Sequence, residues 1–133
     1  MRDLAEYISR RYSGKIVEIG VGFNRKVASE LLRLGFDVIA TDIKRIPGAI
    51  PDDVCNPRFE IYEGASLLYS IRPPYEIQGC IISLARRIGS DVIIVPLKNE
   101  IIGGGRLVNY KSVRFYLFTR QSLRSLSEDP QTP

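Results

Sequence analysis

A strand, glycine turn, helix and second strand over residues 15–42, KIVEIGVGFNRKVASELLRLGFDVIATD, constrain the fold more than any other stretch of the chain. The apolar run at residues 16–19 is typical of a strand buried on both faces of a parallel sheet. Gly20 and Gly22 follow where the chain must turn, and an apolar stripe with helical spacing leads to a strand ending at Asp42. Such a βαβ unit places both strand ends at one edge, where nucleotides bind in α/β proteins.

Apolar periodicity and helix breakers predict the remaining elements. They are a helix over residues 2–12, an edge strand over 50–54, helical turns over 58–63, a strand over 65–71, a helix beginning at Pro74 and ending at Gly89, a strand over 91–96, and strands over 106–111 and 113–120 joined as a hairpin. We therefore expect a single Rossmann-like, doubly wound, mostly parallel α/β sheet with helices on both faces and a C-terminal antiparallel hairpin, trimmed at residues 43–64. The domain spans residues 1–121, and residues 122–133 are expected to form a disordered tail.

Composition narrows the class of protein. The chain has 133 residues, 44% of them hydrophobic, which suffices for one globular domain with its own core. No apolar run approaches the roughly 20 residues of a membrane span, and the charged N-terminus lacks a signal-peptide core, so a cytoplasmic protein without membrane association is expected. The net charge of +4 is scattered in basic pairs, which favours a solvated surface over a nucleic-acid footprint.

Cysteine and histidine content limits the chemistry. The chain contains two cysteines and no histidine. Cys55 and Cys80 lie near no Cys or His partner in the sequence, so we expect neither a disulfide nor a metal site, and predict two small buried side chains. The absence of histidine excludes Ser-His and Cys-His catalysis.

The glycine turn carries the strongest functional signal. We expect the N–H groups around Gly20 and Gly22 to face a ligand at a helix N-terminus capped by Asn24. A purely structural turn is the alternative, since residue 25 is Arg where the dinucleotide fingerprint has its third glycine. Asp42 is placed to accept hydrogen bonds from ribose hydroxyls, with a helix N-cap or loop charge as the alternative.

Four motifs in order carry a resemblance to known proteins: Glu18-x-Gly20-x-Gly22, Asp42 after the second strand, Asp52-Asp53-Val54 after the third, and Pro73-Pro74-Tyr75 after the fourth. The chain resembles S-adenosylmethionine-dependent methyltransferases of the Rossmann-like fold, whose sheet also closes with an antiparallel hairpin. The stretches VEIGVG, DDVCNP and YSIRPPYE are similar, more closely, to a family of small uncharacterised proteins, mostly archaeal, assigned to that fold. The resemblance extends to about Arg120 and brings with it no established activity.

The resemblance implies roles for the matching positions. Glu18 and the Gly20-Val21-Gly22 turn would receive the methionine part of S-adenosylmethionine, with Asn24 standing where such turns often have glycine. Asp42 would hold the ribose hydroxyls and Asp53 would accept from the adenine amino group. Val54 would lie against the adenine ring, and Ile43 belongs to the same cofactor-binding set.

The segment from Ser70 to Tyr75 resembles the motif of amino-methyltransferases, a polar residue followed by Pro-Pro and an aromatic residue. There the polar residue accepts from the target amine and the aromatic ring stacks an extruded base. Arg72, which has donors only, precedes the prolines here, so either Ser70 substitutes or Arg72 holds a carboxylate or phosphate of the substrate. Ser70, Arg72 and Tyr75 are the candidate catalytic residues; the alternative is a proline-initiated helix with Tyr75 in the core.

The combined prediction is an S-adenosylmethionine-binding, methyltransferase-like protein acting on an unknown methyl acceptor. The short chain leaves little beyond the sheet to build a substrate pocket, so a macromolecular acceptor, such as a nucleic acid, or a homodimer would complete the site. An NAD(P)-binding Rossmann module, with NAD as cofactor, is one alternative and predicts no terminal hairpin. A non-catalytic binding domain that retains the fold is the other.

The Gly103–Gly105 loop is predicted to be a plain connection, with a mobile loop or phosphate cradle as alternatives.

Overall fold

The computed structural model describes residues 1–127. Its helices are α1 (Arg2–Arg11), α2 (Lys26–Arg33), α3 (Phe59–Tyr62), α4 (Tyr75–Ile88) and α5 (Arg120–Ser127). Its strands are β1 (Lys15–Ile19), β2 (Asp37–Asp42), β3 (Ile50–Pro51), β4 (Leu67–Ile71), β5 (Asp91–Val95), β6 (Arg106–Tyr110) and β7 (Val113–Phe118). Among these helices, none has the length and apolar character needed to cross a membrane.

The strands of the described chain form one sheet in the order β3-β2-β1-β4-β5-β7-β6. The first five strands are mutually parallel, β7 runs antiparallel to β5, and β6 pairs antiparallel with β7. The strand order changes direction at β1: β2 and β3 follow on one side of it, and the chain then returns to place β4 on the other side. This arrangement confirms the predicted α/β class and the C-terminal hairpin, and it puts the topological switch point at the glycine turn.

Alternate residues of each central strand supply two separate cores. Val17 and Ile19 of β1 join the layer that contains α3, α4 and α5, whereas Ile16 joins the layer of α1 and α2. Ile94 and Ile93 of β5 divide between the two layers in the same way. Because both faces are covered, the central strands are continuous apolar runs, as the sequence of residues 16–19 predicted.

The sheet is trimmed on the β3 side, as predicted. β3 has two residues, and the amide of Asp52 then donates to the Asp42 carbonyl at 3.0 Å. Prolines bracket this segment and remove the donors that a longer strand would need. The consequence is a short, open end of the sheet at which the carboxyl ends of β2 and β3 are accessible.

The predicted disordered tail is wrong for residues 122–127. They form most of α5, and Leu123 is 1% exposed within the core that contains α4. The polar composition that suggested a frayed segment belongs to the other positions of an amphipathic helix. Residues 128–133, the remainder of the predicted tail, lie outside the described residues.

The prediction that Cys55 and Cys80 are unpaired and buried is also wrong. They form a disulfide with their Cα atoms 5.0 Å apart, Cys55 is exposed, and Cys80 is half-buried. The bond joins the segment after β3 to α4 across a sequence separation of 25 residues. Such a pair meets only in the folded chain, so the spacing of the cysteines in the sequence held no signal for it.

Candidate functional site

The glycine turn after β1 is fastened to the end of β2. Gly20 and Gly22 adopt left-handed backbone conformations with φ of 70° and 58°, which favour glycine at both positions. The amides of Gly20 and Val21 donate to the Thr41 carbonyl at 2.9 and 3.1 Å. The amide of Gly22 donates to Oδ2 of Asp42 at 2.9 Å. The expectation that these N–H groups face a ligand is therefore wrong, because the neighbouring strand uses them.

Asp42 is oriented by the backbone on both sides. Besides the bond from Gly22, its Oδ1 accepts from the amide of Lys44 at 2.9 Å. A carboxylate offers about four acceptor positions, so two remain for a ligand. Asp42 is half-buried and lines a pocket rather than pointing into bulk solvent.

A pocket of ≈ 220 Å³ lies where the ends of β1, β2 and β3 meet the start of α4. It gathers Gly20, Asp42, Ile43, Asp53 and Val54 from the predicted cofactor set. It also contains Asp52 and Pro74, which belong to the quoted motifs but had no cofactor role, and three residues that the sequence did not single out for the site, namely Ile19, Thr41 and Ile77. Ile77 could have been found from helical spacing, since it lies in the first turn of α4, three residues after the N-cap Pro74. The pocket thus combines carboxylates with aliphatic walls.

The two neighbouring aspartates have different tasks. The side chain of Asp52 is 3% exposed and is held by the Tyr62 hydroxyl at 2.6 Å and by Nε of Arg58 at 3.2 Å. Burial, together with the bond to Asp52, raises the pKa of Tyr62. Asp53 is exposed, and its Oδ1 accepts from the Cys55 amide at 2.9 Å. Asp53 therefore keeps acceptor capacity facing outward, whereas Asp52 supports the loop.

Glu18 lies behind the turn, outside the pocket. It is 2% exposed, and Oε1 accepts from the Tyr69 hydroxyl at 2.7 Å. Burial raises the pKa of Glu18 to about 7, although the Tyr69 bond and the charge of Arg25 act in the opposite direction. Val21 is likewise buried, and neither residue lines the pocket. Asn24 does not cap α2 directly, since the N-cap is Arg25, but its Oδ1 accepts from the Lys26 amide at 3.1 Å.

The three candidate catalytic residues occupy different depths. Ser70 is fully buried, and its hydroxyl donates to the Ile19 carbonyl at 2.7 Å, so it supports the base of the glycine turn. Arg72 is exposed with a φ of 52°, an uncommon conformation for a residue with a Cβ, and its amide donates to the Val95 carbonyl. Tyr75 is 77% exposed at the start of α4, so the alternative that it belongs to the core is wrong.

The glycine-rich loop between β5 and β6 is packed against the body of the domain. Glu100 accepts from the Leu97 amide at 3.1 Å and from Nε2 of Gln78 at 2.9 Å, which fastens the loop to α4. A Cβ on Gly105 would lie 2.7 Å from the Phe118 ring. The glycine at residue 105 therefore serves a close approach to β7, as a plain connection requires.

A second pocket, of ≈ 240 Å³, surrounds the disulfide on the layer of α3 and α4. The guanidinium of Arg87 lies 4.0 Å from the ring centroid of Phe59 at this site. Val54 lines both pockets. The second pocket is lined by neither the ends of β1 and β2 nor the glycine turn, which are the features typical of nucleotide sites in α/β proteins. The first pocket is lined by both.

Comparison with known proteins gives concordant results. A family model described as "Uncharacterised protein family (UPF0146)" matches residues 1–120. A UPF0146 protein of Archaeoglobus fulgidus is 44% identical over 127 residues, covering 92% of this chain and 97% of the relative. A UPF0146 protein of Pyrococcus furiosus is 40% identical over 131 residues, covering 89% and 98%.

Solved methyltransferase structures share the fold. One is the 1,6-didemethyltoxoflavin-N1-methyltransferase of Burkholderia thailandensis, solved with 1,6-didemethyltoxoflavin and S-adenosylhomocysteine bound, with a TM-score of 0.52 at 17% identity. The match covers 94% of this chain and 64% of that one. The antibiotic-resistance methyltransferase Kmr also matches, with a TM-score of 0.52 at 14% identity, covering 88% and 90%. At these identities the likeness shows the fold alone.

Proposed function

We propose that this chain, which belongs to the uncharacterised protein family UPF0146, binds S-adenosylmethionine at the carboxyl ends of β1, β2 and β3 and transfers its methyl group to an acceptor. The observation that carries the proposal is the placement of Asp42. It is tied to Gly22 at the switch point of the sheet, faces a pocket, and retains two acceptor positions. The methyltransferase fold of the solved neighbours supports the same ligand.

The residues of the pocket fit an adenosine group. Asp42 would accept from the ribose hydroxyls and Asp53 from the adenine amino group, while Ile43 and Val54 supply apolar surface for the ring. The volume of ≈ 220 Å³ is below the roughly 300 Å³ at which drug-sized pockets begin, so it suits the nucleoside part only. The methionine part would extend along the glycine turn, where Gly20 has no Cβ to obstruct it.

When bound, S-adenosylmethionine supplies an electrophilic methyl group on a sulfonium. The chain contributes orientation, since holding an acceptor in line with that methyl group is worth about 7–11 kcal/mol in favourable cases. An acceptor that is already nucleophilic needs no general base, which agrees with a chain that has no histidine. In this proposal Arg72, which is exposed just after β4, would hold an anionic group of the acceptor.

A non-catalytic binding protein with the same ligand is the second candidate. Ser70 is buried and bonded to Ile19, and Arg72 has only donors, so neither side chain accepts from a target amine in this conformation. An NAD-binding module has less support, because the antiparallel β6–β7 hairpin belongs to the methyltransferase arrangement.

Thermal shift with separate additions of S-adenosylmethionine, S-adenosylhomocysteine, NAD, NADH and NADP tests the proposal. A ligand at 100 times its dissociation constant stabilises the fold by about 2.7 kcal/mol, and we expect this with the first two compounds only. Asp42→Ala should abolish the response, whereas Asp37→Ala, at the exposed amino end of the same strand, should retain it. A response to NAD alone, or a full response in Asp42→Ala, would refute the assignment.

Transfer itself needs a separate measurement. We expect the wild-type chain to transfer the label from methyl-labelled S-adenosylmethionine to a component of an extract of a related archaeon. The Asp42→Ala variant should transfer none. Binding without labelling in extracts of a related archaeon would favour the non-catalytic candidate.

A further inference from the structure

Large apolar side chains are exposed at the carboxyl ends of four adjacent strands. Ile43 follows β2, Phe23 follows β1, Tyr75 follows β4, and Ile101 follows β5. Their exposed fractions are 70%, 85%, 77% and 82%. We call these four residues the carboxyl rim. Scattered apolar residues on a surface need no explanation, but these four follow four consecutive strands and so define a band along one edge of the sheet.

The carboxyl rim borders the proposed methyl-donor pocket. Ile43 lines that pocket directly, and Tyr75 follows Pro74, which also lines it. Adjacent strands lie about 4.8 Å apart, so the band from β2 to β5 crosses roughly 14 Å of the sheet edge. Nothing in residues 1–127 covers these side chains. A ligand on the band would therefore lie over the mouth of the pocket.

Cations accompany the apolar band. Exposed Lys and Arg side chains occur at the same edge at Lys26, Lys44, Arg45, Arg72 and Lys98. Within the described chain none of them forms an ion pair. Glu100 at this edge is half-buried and bonded to Leu97 and Gln78. Asp53 and Glu76 are the exposed carboxylates near the band, so its exposed charge is positive on balance.

We propose that the carboxyl rim binds single-stranded nucleic acid and presents one unstacked base to the methyl-donor pocket; this deepens the proposed function and rests on it. Aromatic rings interleaved with cations are the usual means of binding a single strand, because bases stack on the rings while phosphates contact Lys and Arg. Phe23 and Tyr75, which each lie four residues beyond one of the neighbouring strands β1 and β4, supply the rings. Arg72 and Lys98 supply charge beside them.

The lysine content of the edge argues against a protein occupant. Lysine is depleted at protein–protein interfaces, whereas three of the five cations here are lysines. A duplex fits less well, because its bases are stacked internally and give exposed rings nothing to stack against. The exposed rings and the charge are thus explained together by a single strand.

Fluorescence anisotropy with a fluorescein-labelled 12-nucleotide single-stranded RNA, and with the same sequence as a duplex, tests the proposal on the full chain. We expect tighter binding of the single strand. Phe23→Ser and Tyr75→Ser should each weaken it about 5- to 150-fold, the effect of losing one stacked base. Arg72→Ala and Lys98→Ala should each reduce the slope of log affinity against log salt by about 0.7.

Matched controls separate the carboxyl rim from general surface charge. Arg86→Ala removes an exposed cation at the opposite end of α4, and Leu107→Ser removes a 41%-exposed apolar side chain on β6. Both should bind RNA as the wild type does. No binding at 50 mM salt, equal losses in the controls, or equal binding of the duplex without an effect of Phe23→Ser would overturn the proposal.

Two parallel measurements distinguish the remaining outcomes. If light scattering shows a dimer that Phe23→Ser dissociates, a second copy covers the band and the proposal is overturned. If the S-adenosylmethionine thermal shift persists while RNA does not bind, the carboxyl rim assignment fails and the cofactor assignment stands. RNA binding without that thermal shift would support the carboxyl rim as the RNA-binding surface and would refute the assignment of the pocket to S-adenosylmethionine.

Discussion

Removal of the Cys55–Cys80 disulfide tests whether this bond stabilises the fold and orders the pocket wall beside it. The bond closes a loop with a sequence separation of 25 residues. On the chain-entropy treatment, a loop of that length stabilises the fold by about 3.5 kcal/mol relative to the reduced chain. Domains of this size are stable by only about 5–15 kcal/mol, so the loss should be large.

The assay is guanidinium unfolding of the wild type and of a Cys55→Ser/Cys80→Ala double variant, with and without a dithiol reductant. We expect the variant, and the reduced wild type, to be about 3.5 kcal/mol less stable than the oxidised wild type. The reductant should leave the variant unchanged, which controls for effects unrelated to the bond.

The same comparison has a local consequence. Asp53 and Val54 directly precede Cys55, so the tether holds one wall of the pocket against α4. Reduction should weaken binding of S-adenosylhomocysteine measured by calorimetry at a temperature where both forms remain folded. If oxidised and reduced chains unfold at the same denaturant concentration, the entropic argument is wrong. If stability falls while affinity is unchanged, the tether does not order the pocket wall.

Two further predictions concern residues away from the pocket. Because burial raises the pKa of Glu18 from 4.5 to about 7, the folded chain binds the proton more tightly, and stability should fall as pH rises from about 4.5 through 7 by roughly 3 kcal/mol. Glu18→Gln, which can still accept a hydrogen bond from Tyr69, should make the free energy of unfolding in urea nearly the same at pH 5 and pH 8. An equal pH dependence in the wild type and the variant would show that Glu18 is not its cause. Gly105→Ala should cost about 1–3 kcal/mol, since its Cβ would meet the Phe118 ring at 2.7 Å, whereas Gly103→Ala, with open space around it, should stay within about 0.5 kcal/mol. Equal thermal midpoints for the two glycine variants would show that the Phe118 ring moves to accommodate the new Cβ without a loss of stability.

Local patterns predicted the parts of the fold that local chemistry determines. Residues 16–19 are apolar at every position but one because both faces of β1 are covered. The exception is Glu18, whose pKa is raised by burial and whose carboxylate accepts a hydrogen bond from Tyr69. Gly89 ended α4 as predicted, in a left-handed conformation with a φ of 75°. The carboxylate at the end of β2 was found because parallel strands bring their ends to one edge.

Features that depend on distant partners were missed. Nothing near Cys55 in the sequence indicates Cys80, and nothing near Ser122 indicates that α5 packs against α4. The hydroxyl of Ser70 was one candidate to accept a hydrogen bond from a target amine, but it donates to the carbonyl of Ile19, 51 residues earlier. Each of these errors concerns which surface a side chain meets, and that depends on strand order rather than on sequence periodicity.

The hydrogen bonds around Asp42 have a consequence for selectivity. Gly22 and Lys44 hold one aspartate in place, and Cys55 holds Asp53, so both acceptors are oriented by their own backbone. A bound ligand would then immobilise few side-chain torsions of the protein, so little binding free energy would be lost to ordering the site. Discrimination among adenosine analogues should follow the hydroxyl and amino donors each one carries, rather than any ability to reshape the cleft.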